Sequence, residues 1–359
     1  EARNLGLNGG LAGVDEGRQN VLVHLGDGPR GFALIGHLDT VSAGDNSLWR
    51  CMPFGAEVVG GRLYGRGSAD NKAGIACGLY TLALLRDLEL FDPHEHQALL
   101  AGVVDEESGA SSPLGVRYLL DAGLLPVRAA IYTYASDVIC IGHRGLLRLE
   151  IRAEGAAVHS GSGEWDRGEA GVNAATGLSD CLVELEKLEI GGIAPPAFHG
   201  LSNKVTPGTL LRGGDWPGMV PAWSEAVVDI RLLPSAKAGD VLRRVDEVIA
   251  EVCRRRPGLA LQARTLISLP GAAIPADHPL VTIAGRATEE ITGEAWPAVG
   301  AGPANEGYML IEAGIPTLCG FGPTGGNAHA PDEWVSLESI PLTIAMYSRI
   351  ILEYLEKED

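Results

Sequence analysis

The sequence of 359 residues contains few aromatic residues (5%) and fewer basic than acidic ones, with 28 Lys and Arg against 46 Asp and Glu. The net charge of −18 argues against nucleic acid or an anionic membrane as a partner, because both are also negatively charged. No apolar run approaches the ~18 residues of a membrane-spanning helix, and the first residues lack the basic and apolar regions of a signal peptide. We therefore expect a cytoplasmic protein.

The cysteines support the same expectation about the compartment. None of the six forms a Cys-x-x-Cys pair, and most lie in apolar runs, which is typical of reduced, buried thiols. The sequence begins at Glu1 without a methionine, so we also expect that its true beginning is absent.

Strand-like and helical segments alternate along most of the chain. Short buried runs such as 32–35 are typical of strands, and the Ala- and Leu-rich stretch 73–90 is typical of a helix. Such alternation predicts an α/β fold. From residue 144 the pattern changes to half-exposed strands and helices, and it changes back at 257. We predict a larger α/β domain formed by residues 1–143 and 257–359, with a smaller α+β domain, residues 144–256, inserted into it.

Four separate segments carry imidazole and carboxylate groups, and three of them lie beside predicted strand ends or tight glycine turns. In chain order these groups belong to His37, Asp39, Asp70, Glu106, Glu107 and His329. Ligands of an open α/β sheet collect at the carboxyl ends of its strands, and such side chains suit Zn, Mn or Co. Two adjacent glutamates also repel each other unless a cation or a proton lies between them. Each segment alone is more typical of a solvated turn, so it is their combination that predicts a divalent-metal site.

Several motifs lie close to this predicted site or flank it. They are Trp49, GRLYGRG at 61–67, the acidic pair Glu106 and Glu107, and AHAPDE at 328–333. Through them, and from about Asn20 to the C-terminus, the sequence resembles the metallopeptidase and amidohydrolase family of acetylornithine deacetylase, succinyl-diaminopimelate desuccinylase, aminoacylase and carboxypeptidase G. The resemblance implies a mixed-sheet, zinc-peptidase-like catalytic domain and a homodimer or higher homo-oligomer formed through the inserted domain.

The resemblance also implies which residues hold metal. His37 would be a ligand of one ion, Glu107 and His329 would hold a second, and Asp70 would bridge the two. The family commonly has a cis peptide after the bridging aspartate, which here is the bond Asp70–Asn71. The ions implied are divalent transition metals, Zn or Mn, with Co also suitable.

The same resemblance implies the catalytic groups. Glu106 would be the general base that takes a proton from metal-activated water and passes it to the leaving nitrogen. Asp39 would orient His37. Asp332 and Glu333, which follow His329, are interpreted as loop structure rather than as ligands.

One position departs from the family pattern. Where the family has Glu or Asp as a further ligand of the His37 ion, this sequence has Tyr134. A neutral phenol is a poor ligand for Zn or Mn, although Asp137 could replace it if the loop shifts. We therefore predict one tightly bound ion, held by Asp70, Glu107 and His329, and a Tyr134 hydroxyl that donates a hydrogen bond in the pocket.

The inserted domain contributes three further candidates by resemblance. His159 matches a histidine that reaches the site of the neighbouring subunit and stabilises the oxyanion of the scissile group. Asn203 and Arg231 match positions that bind a substrate carboxylate, a task for which the Arg fork is suited. For Arg231 the alternative is an ion pair at a strand end.

Three functions remain open from the sequence. The first is hydrolysis of an amide or related carbon–nitrogen bond in a small, carboxylate-bearing substrate. The second is an arylamine aminohydrolase of the 5-nitroanthranilate type, which releases ammonia from an electron-poor ring, and for which Tyr132 and Tyr134 beside the site would suit a flat aromatic substrate. The third is a non-catalytic binding protein on the same fold.

Overall fold

Strands and helices alternate through the computed structural model, which describes residues 1–357. The strands are β1 (Asn8–Ala12), β2 (Asn20–Leu25), β3 (Arg30–His37), β4 (Glu57–Val59), β5 (Arg62–Tyr64), β6 (His96–Val103), β7 (Ala129–Tyr132), β8 (Ile139–His143), β9 (Gly145–Glu154), β10 (Lys204–Gly213), β11 (Trp223–Leu232), β12 (Ala260–Leu269), β13 (Ala272–Ala273), β14 (Ala298–Ala301), β15 (Thr317–Leu318), β16 (Gly325–Gly326) and β17 (Trp334–Ser336). The α-helices are α1 (Ala73–Asp87), α2 (Val116–Asp121), α3 (Gly163–Asp166), α4 (Ala174–Glu186), α5 (Ala238–Arg255), α6 (Pro279–Thr292), α7 (Gly307–Glu312) and α8 (Ser339–Leu355).

The chain forms two units, and the first is built on a six-stranded sheet. This unit contains Glu1–His143, Ala272–Ala301 and the described residues from Asn305 onward. The strand order is β1-β2-β6-β3-β7-β15. The four strands β6, β3, β7 and β15 run parallel to one another, whereas β1 and β2 are antiparallel to their neighbours. The carboxyl ends of β3, β6 and β7 therefore lie side by side at one edge of the sheet.

Helix α1 covers the sheet closely because glycine replaces larger residues where the two meet. A Cβ on Gly78 would lie 2.8 Å from the Leu100 side chain of β6 and 3.4 Å from Leu34 of β3. Helix α8 packs against α1 and α6. Fully buried side chains such as Leu34 and Leu82 fill the interior between sheet and helices, and each contributes roughly 1.5–3 kcal/mol through burial.

Two smaller sheets complete the first unit. One has the order β13-β8-β14, and the other is β16-β17-β5-β4. In the second, Trp334 of β17 pairs with Tyr64 of β5. This pairing brings the segment before β17, which contains His329, next to the loop after β5, which contains Asp70.

The second unit is an antiparallel sheet of order β10-β11-β9-β12 with helices on one face. Alternate residues of β9, from Leu147 to Ala153, face a core shared with α4 and α5, while Arg148 and Arg152 face away from it. Helix α5 presents Val241, Val245, Ile249 and Val252 to the same core, at the spacing of one helix face.

The second unit ends later than the sequence analysis places it. Residues 257–271 were expected in the larger domain, but β12 pairs with β9 along nearly its whole length, from Ala260↔Glu154 to Leu269↔Leu146. The unit therefore contains Arg144–Gly271, together with the short segment Gly302–Ala304. The expected α/β fold with mixed sheets is confirmed. Among residues 1–357, no helix has both the length and the apolar content that a bilayer crossing requires.

Candidate metal site

Three adjacent parallel strands deliver side chains to one place. His37 is the last residue of β3, the Asp105–Glu107 segment follows β6, and Tyr134 lies two residues after β7. The pairings Ile35↔Ala101 and Ile35↔Tyr132 fix the heights of the three strands relative to one another. Because side chains after neighbouring parallel strands meet at one sheet edge, a charged cluster forms there.

His37 lies at the centre of this cluster and is fully buried. Its Nε2 is 2.7 Å from Oδ1 of Asp70, and its Nδ1 is 3.0 Å from the main-chain oxygen of Asp39. Burial by itself lowers the pKa of the imidazole, but the hydrogen bond with Asp70 and the negative charge of Glu106 outweigh it. The result is a His37 pKa raised to about 9.

Asp70 lies between two imidazoles. Its Oδ1 faces His37, and its Oδ2 is 3.2 Å from Nε2 of His329. The same His329 nitrogen is 3.0 Å from Oε1 of Glu107. One ligand atom from each of His37, Asp70 and Glu107 lies within 4.8 Å of the others. The structure thus brings the four predicted ligands together.

These residues fit a divalent transition metal. Two imidazole nitrogens and two carboxylates are the donor types that Zn and Mn accept. Burial and the nearby Asp70 charge raise the pKa of Glu107 above its usual range, as expected where carboxylates crowd together without a cation between them. Asp70 also offers a separate oxygen to each side, which is the arrangement that a bridging carboxylate needs.

Glu106 is buried next to the four predicted ligands, and the prediction for it is a general base rather than a ligand. Burial raises its pKa, the positive charge of His37 and a hydrogen bond from Tyr134 lower it, and the charges of Glu107 and Asp70 raise it, to a value of about 7. A buried carboxyl with a pKa near neutrality is suited to take up and release a proton at physiological pH.

Tyr134 occupies the position where a carboxylate was expected from the family. Its hydroxyl donates a hydrogen bond of 2.8 Å to Oε1 of Glu106. Burial and the Glu106 charge hold the pKa of the phenol well above its ordinary value, so the hydroxyl keeps its proton. Asp137, the alternative ligand, is exposed, and within residues 1–357 the cluster of ligand atoms does not include it.

Asp39 was expected to orient His37, and it also contacts the main chain of the acidic pair. Its carboxylate accepts hydrogen bonds from the main-chain N–H groups of Glu106 (3.3 Å) and Glu107 (3.0 Å). The bond to Nδ1 of His37 comes instead from its main-chain oxygen, while its Oδ1 lies 3.8 Å from that nitrogen. Asp39 therefore links His37 to the acidic pair.

Two buried carboxylates near the cluster were not singled out by the sequence. Glu333 is fully buried beneath the loop that carries Asp70 and accepts hydrogen bonds from that loop. Glu306, also fully buried, accepts a 3.1 Å hydrogen bond from the Tyr132 hydroxyl. Glu306 lies in no motif, and Glu333, which ends the AHAPDE motif, was interpreted only as loop structure. The partners of both residues lie more than 170 positions away along the chain.

Tyr132 and Tyr134, the two rings that would suit a flat aromatic substrate, lie together. The Tyr132 ring stacks on Tyr134 with centroids 4.8 Å apart and an interplanar angle of 14°. Tyr132 is fully buried and Tyr134 is partly exposed, and their suitability for a flat aromatic substrate stays a prediction.

The three candidates of the second unit have partners within that unit. His159 is exposed, and its Nδ1 accepts a hydrogen bond from the Gly161 N–H. The Asn203 amide donates to the main-chain oxygen of Gly191 and accepts from the N–H of Leu233. Arg231 forms an ion pair with Asp229, which is the alternative that the sequence left open. A role in substrate binding stays a prediction for all three.

Comparisons with known proteins find a matching family and similar structures. The model of peptidase family M20/M25/M40 matches residues 33–353. The chain is 29% identical to an acetylornithine deacetylase of Klebsiella pneumoniae (strain 342) over 360 residues, covering 97% of this chain and 87% of that protein. Its structure is similar to that of an M20 family metallo-carboxypeptidase from Sulfolobus solfataricus, with a TM-score of 0.76, 17% identity and coverage of 99% and 92%.

A second solved structure is also similar. It is a Bacillus subtilis protein described as a dinuclear metal-binding peptidase from the M20 family, with a TM-score of 0.71, 15% identity and coverage of 99% of this chain and 90% of that one. At these identities the structural similarity shows the fold alone.

Proposed function

The chain belongs to peptidase family M20/M25/M40 and is a metal-dependent hydrolase of carbon–nitrogen bonds, and we propose that its substrate is a small amide that bears a carboxylate. The observation that carries the proposal is the position of Asp70 between two imidazoles, directly beside a buried glutamate. The similarity to an acetylornithine deacetylase, an enzyme named for an acetylated amino acid, favours this substrate class.

The metal would be held by residues of the first unit. Asp70, Glu107 and His329 are proposed to bind one zinc or manganese ion tightly, with cobalt as a suitable substitute, while His37 keeps its hydrogen bond to Asp70. When bound, such an ion lowers the pKa of a water molecule and polarises a carbonyl oxygen. A single ion is supported by Tyr134, because its neutral phenol removes one anionic ligand from the His37 side.

Glu106 is the proposed general base and general acid. It takes a proton from the attacking water, whose oxygen forms a bond to the carbonyl carbon. It then gives this proton to the nitrogen as the carbon–nitrogen bond breaks, so that a carboxylic acid and an amine are the products. A pKa of about 7 suits both transfers. The Tyr134 hydroxyl occupies Oε1 and thereby leaves Oε2 for the water.

Three residues of the second unit are proposed to act on the substrate. The resemblance supports His159 as a donor to the oxyanion and Asn203 and Arg231 as the groups that bind the substrate carboxylate. Asn203 and Arg231 are already hydrogen-bonded within their unit, so carboxylate binding would require Arg231 to share its guanidinium with Asp229. A homodimer or higher homo-oligomer in the cytoplasm is proposed on the same resemblance.

The experiment measures amine release from a panel of N-acetylated amino acids, including N-acetylornithine, with the protein loaded with zinc or manganese. Hydrolysis that stops in Glu106→Gln is the expected result. Ammonia release from an electron-poor arylamine, with no amide cleavage, would favour the arylamine alternative instead. Metal binding without turnover on either panel would contradict the proposed enzyme and favour a binding protein.

A further inference from the structure

We infer that Glu333 is a positioning residue that sets the orientation of Asp70 for metal binding. The inference rests on the proposed function, because it takes Asp70 to be a ligand. Glu333 itself is four residues from His329 and fully buried, and it is not a ligand candidate. Its carboxylate instead contacts the main chain of the loop that carries Asp70.

Four donors converge on this one carboxylate. Oε1 accepts hydrogen bonds from the N–H groups of Ala69 and Asp70, each at 2.9 Å. Oε2 accepts from the N–H of Gly67 at 2.9 Å and from the guanidinium of Arg66. Each oxygen is therefore fully used, and a carboxylate is the side chain that accepts from several N–H donors without presenting one of its own.

The loop needs an acceptor at this place. Gly67 has a φ of +84°, in the left-handed region, and a Cβ there would lie 2.7 Å from the Thr40 side chain. The chain then makes the tight turn Ser68–Lys72, in which Asp70 departs from helical backbone angles. The first N–H groups of a helix lack partners inside it. Glu333 supplies these partners, and one of them is the N–H of Asp70 itself.

Glu333 also forms a buried ion pair with Arg66. The Arg66 side chain is 2% exposed and that of Glu333 is 0% exposed. A buried charge is strongly unfavourable unless an opposite charge and hydrogen bonds compensate it. Arg66 also donates to the main-chain oxygen of Ala330, the residue after His329. The ion pair thus joins the two segments that present Asp70 and His329.

Asp332 provides a matched control. It is the neighbour of Glu333 and also carries a carboxylate, but it accepts hydrogen bonds from the N–H and Nε of Arg50 and none from the Asp70 loop. A change at Asp332 removes the same charge from the same segment and leaves the contacts of Asp70 in place.

The first measurement is the affinity for Mn²⁺ and Zn²⁺, determined by competition with a chromophoric chelator. Removing a partner that orients a ligand typically weakens metal binding tenfold to a hundredfold, so Glu333→Gln is expected to lose affinity by about that factor. Asp332→Asn is expected to bind like the unaltered protein. Unchanged affinity in Glu333→Gln would overturn the inference, whereas an unaltered protein that binds neither metal would contradict the proposed function.

The second measurement is hydrogen exchange of the metal-free protein, and it does not depend on activity. We expect slow exchange of the Gly67, Ala69 and Asp70 amides in the unaltered protein and in Asp332→Asn, and at least about tenfold faster exchange in Glu333→Gln. If Glu333→Gln does not fold, the exchange rates of these amides in the unaltered protein test the inference on their own. Fast exchange of these three amides in the folded, unaltered chain would refute the inference.

Discussion

The Tyr134 hydroxyl donates a hydrogen bond of 2.8 Å to Oε1 of Glu106. Tyrosine stands here where the family resemblance led us to expect a carboxylate ligand, and its hydroxyl contacts Glu106, the proposed general base. The contact lowers the pKa of Glu106, against the burial that raises it. A phenol at this position therefore acts on the basicity of Glu106, and we propose that it also removes one metal ligand.

Replacing Tyr134 by Phe removes this donor and keeps the ring. A hydrogen bond to a charged group contributes roughly 1.5–3 kcal/mol, so the Glu106 pKa is expected to rise and the acid limb of the pH–rate profile to move upward by at least about one pH unit. The sign follows from the role of Glu106, because a base with a higher pKa stays protonated to a higher pH. KM is expected to change little. An acid limb that stays in place would show that Tyr134 does not act on Glu106.

Glu106→Gln tests the proton transfer directly. The amide keeps the size of the side chain and cannot accept the proton, so kcat is expected to fall by about 10²–10⁴-fold. Metal affinity is expected to remain, because Glu106 is not a proposed ligand. Glu312→Gln is the control, since Glu312 is an exposed glutamate at the end of α7. Loss of metal together with activity would instead place Glu106 among the ligands.

Parts of this site are predictable from the sequence and parts are not. His37, Glu106 and Glu107 follow buried apolar runs, and the edge of a parallel sheet brings such residues together whatever their distance along the chain. Glu333 and Glu306 have no such signal, because their partners are main-chain groups or a tyrosine hydroxyl brought near by tertiary packing. The predicted domain boundary at residue 257 was wrong for a related reason. Pro257 and Gly258 mark a turn, and a turn before an edge strand looks the same in sequence as a turn between domains.

Glu306 predicts a pH dependence of stability. Burial, and then the charge of Glu106, raise its pKa to about 8 in the folded protein, against about 4.3 for an ordinary glutamate. Between these values the folded state binds a proton that the unfolded state has released, so stability falls as the pH rises from about 5 to 8. Glu306→Gln removes this loss, so at pH 8 its free energy of unfolding is expected to exceed that of the unaltered, metal-free protein by on the order of a few kcal/mol, and its Tm to be higher. At pH 5 the two proteins are expected to be similar.

Thermal unfolding at the two pH values checks this prediction. Glu312→Gln again serves as the control, because Glu312 is an exposed carboxyl at the far end of α7, the helix that Glu306 precedes, and its replacement is expected to change Tm equally little at both pH values. If the advantage of Glu306→Gln over the unaltered protein does not grow from pH 5 to pH 8, Glu306 is ionised in the folded protein.

Metal removal is expected to reduce stability as well as activity. A ligand that binds only the folded state stabilises it by about 2.7 kcal/mol at a hundred times its Kd. Zinc or manganese is therefore expected to raise Tm in proportion to the logarithm of its concentration, and His329→Ala to weaken the effect because it removes a proposed ligand. A Tm independent of both metals would argue against a site at Asp70.

Tyr134→Glu tests the proposal that the residue at position 134 sets the number of bound ions. A carboxylate there would stand beside His37 and Asp70 and supply the anionic ligand that the phenol does not. We expect one ion per chain in the unaltered protein and two in Tyr134→Glu, counted by elemental analysis and located by anomalous scattering. Tyr134→Phe should stay at one ion, because it adds no ligand. Two fully occupied ions in the unaltered protein would show instead that His37, Asp70, Glu107 and His329 suffice for both. In that case the phenol would act on Glu106 alone.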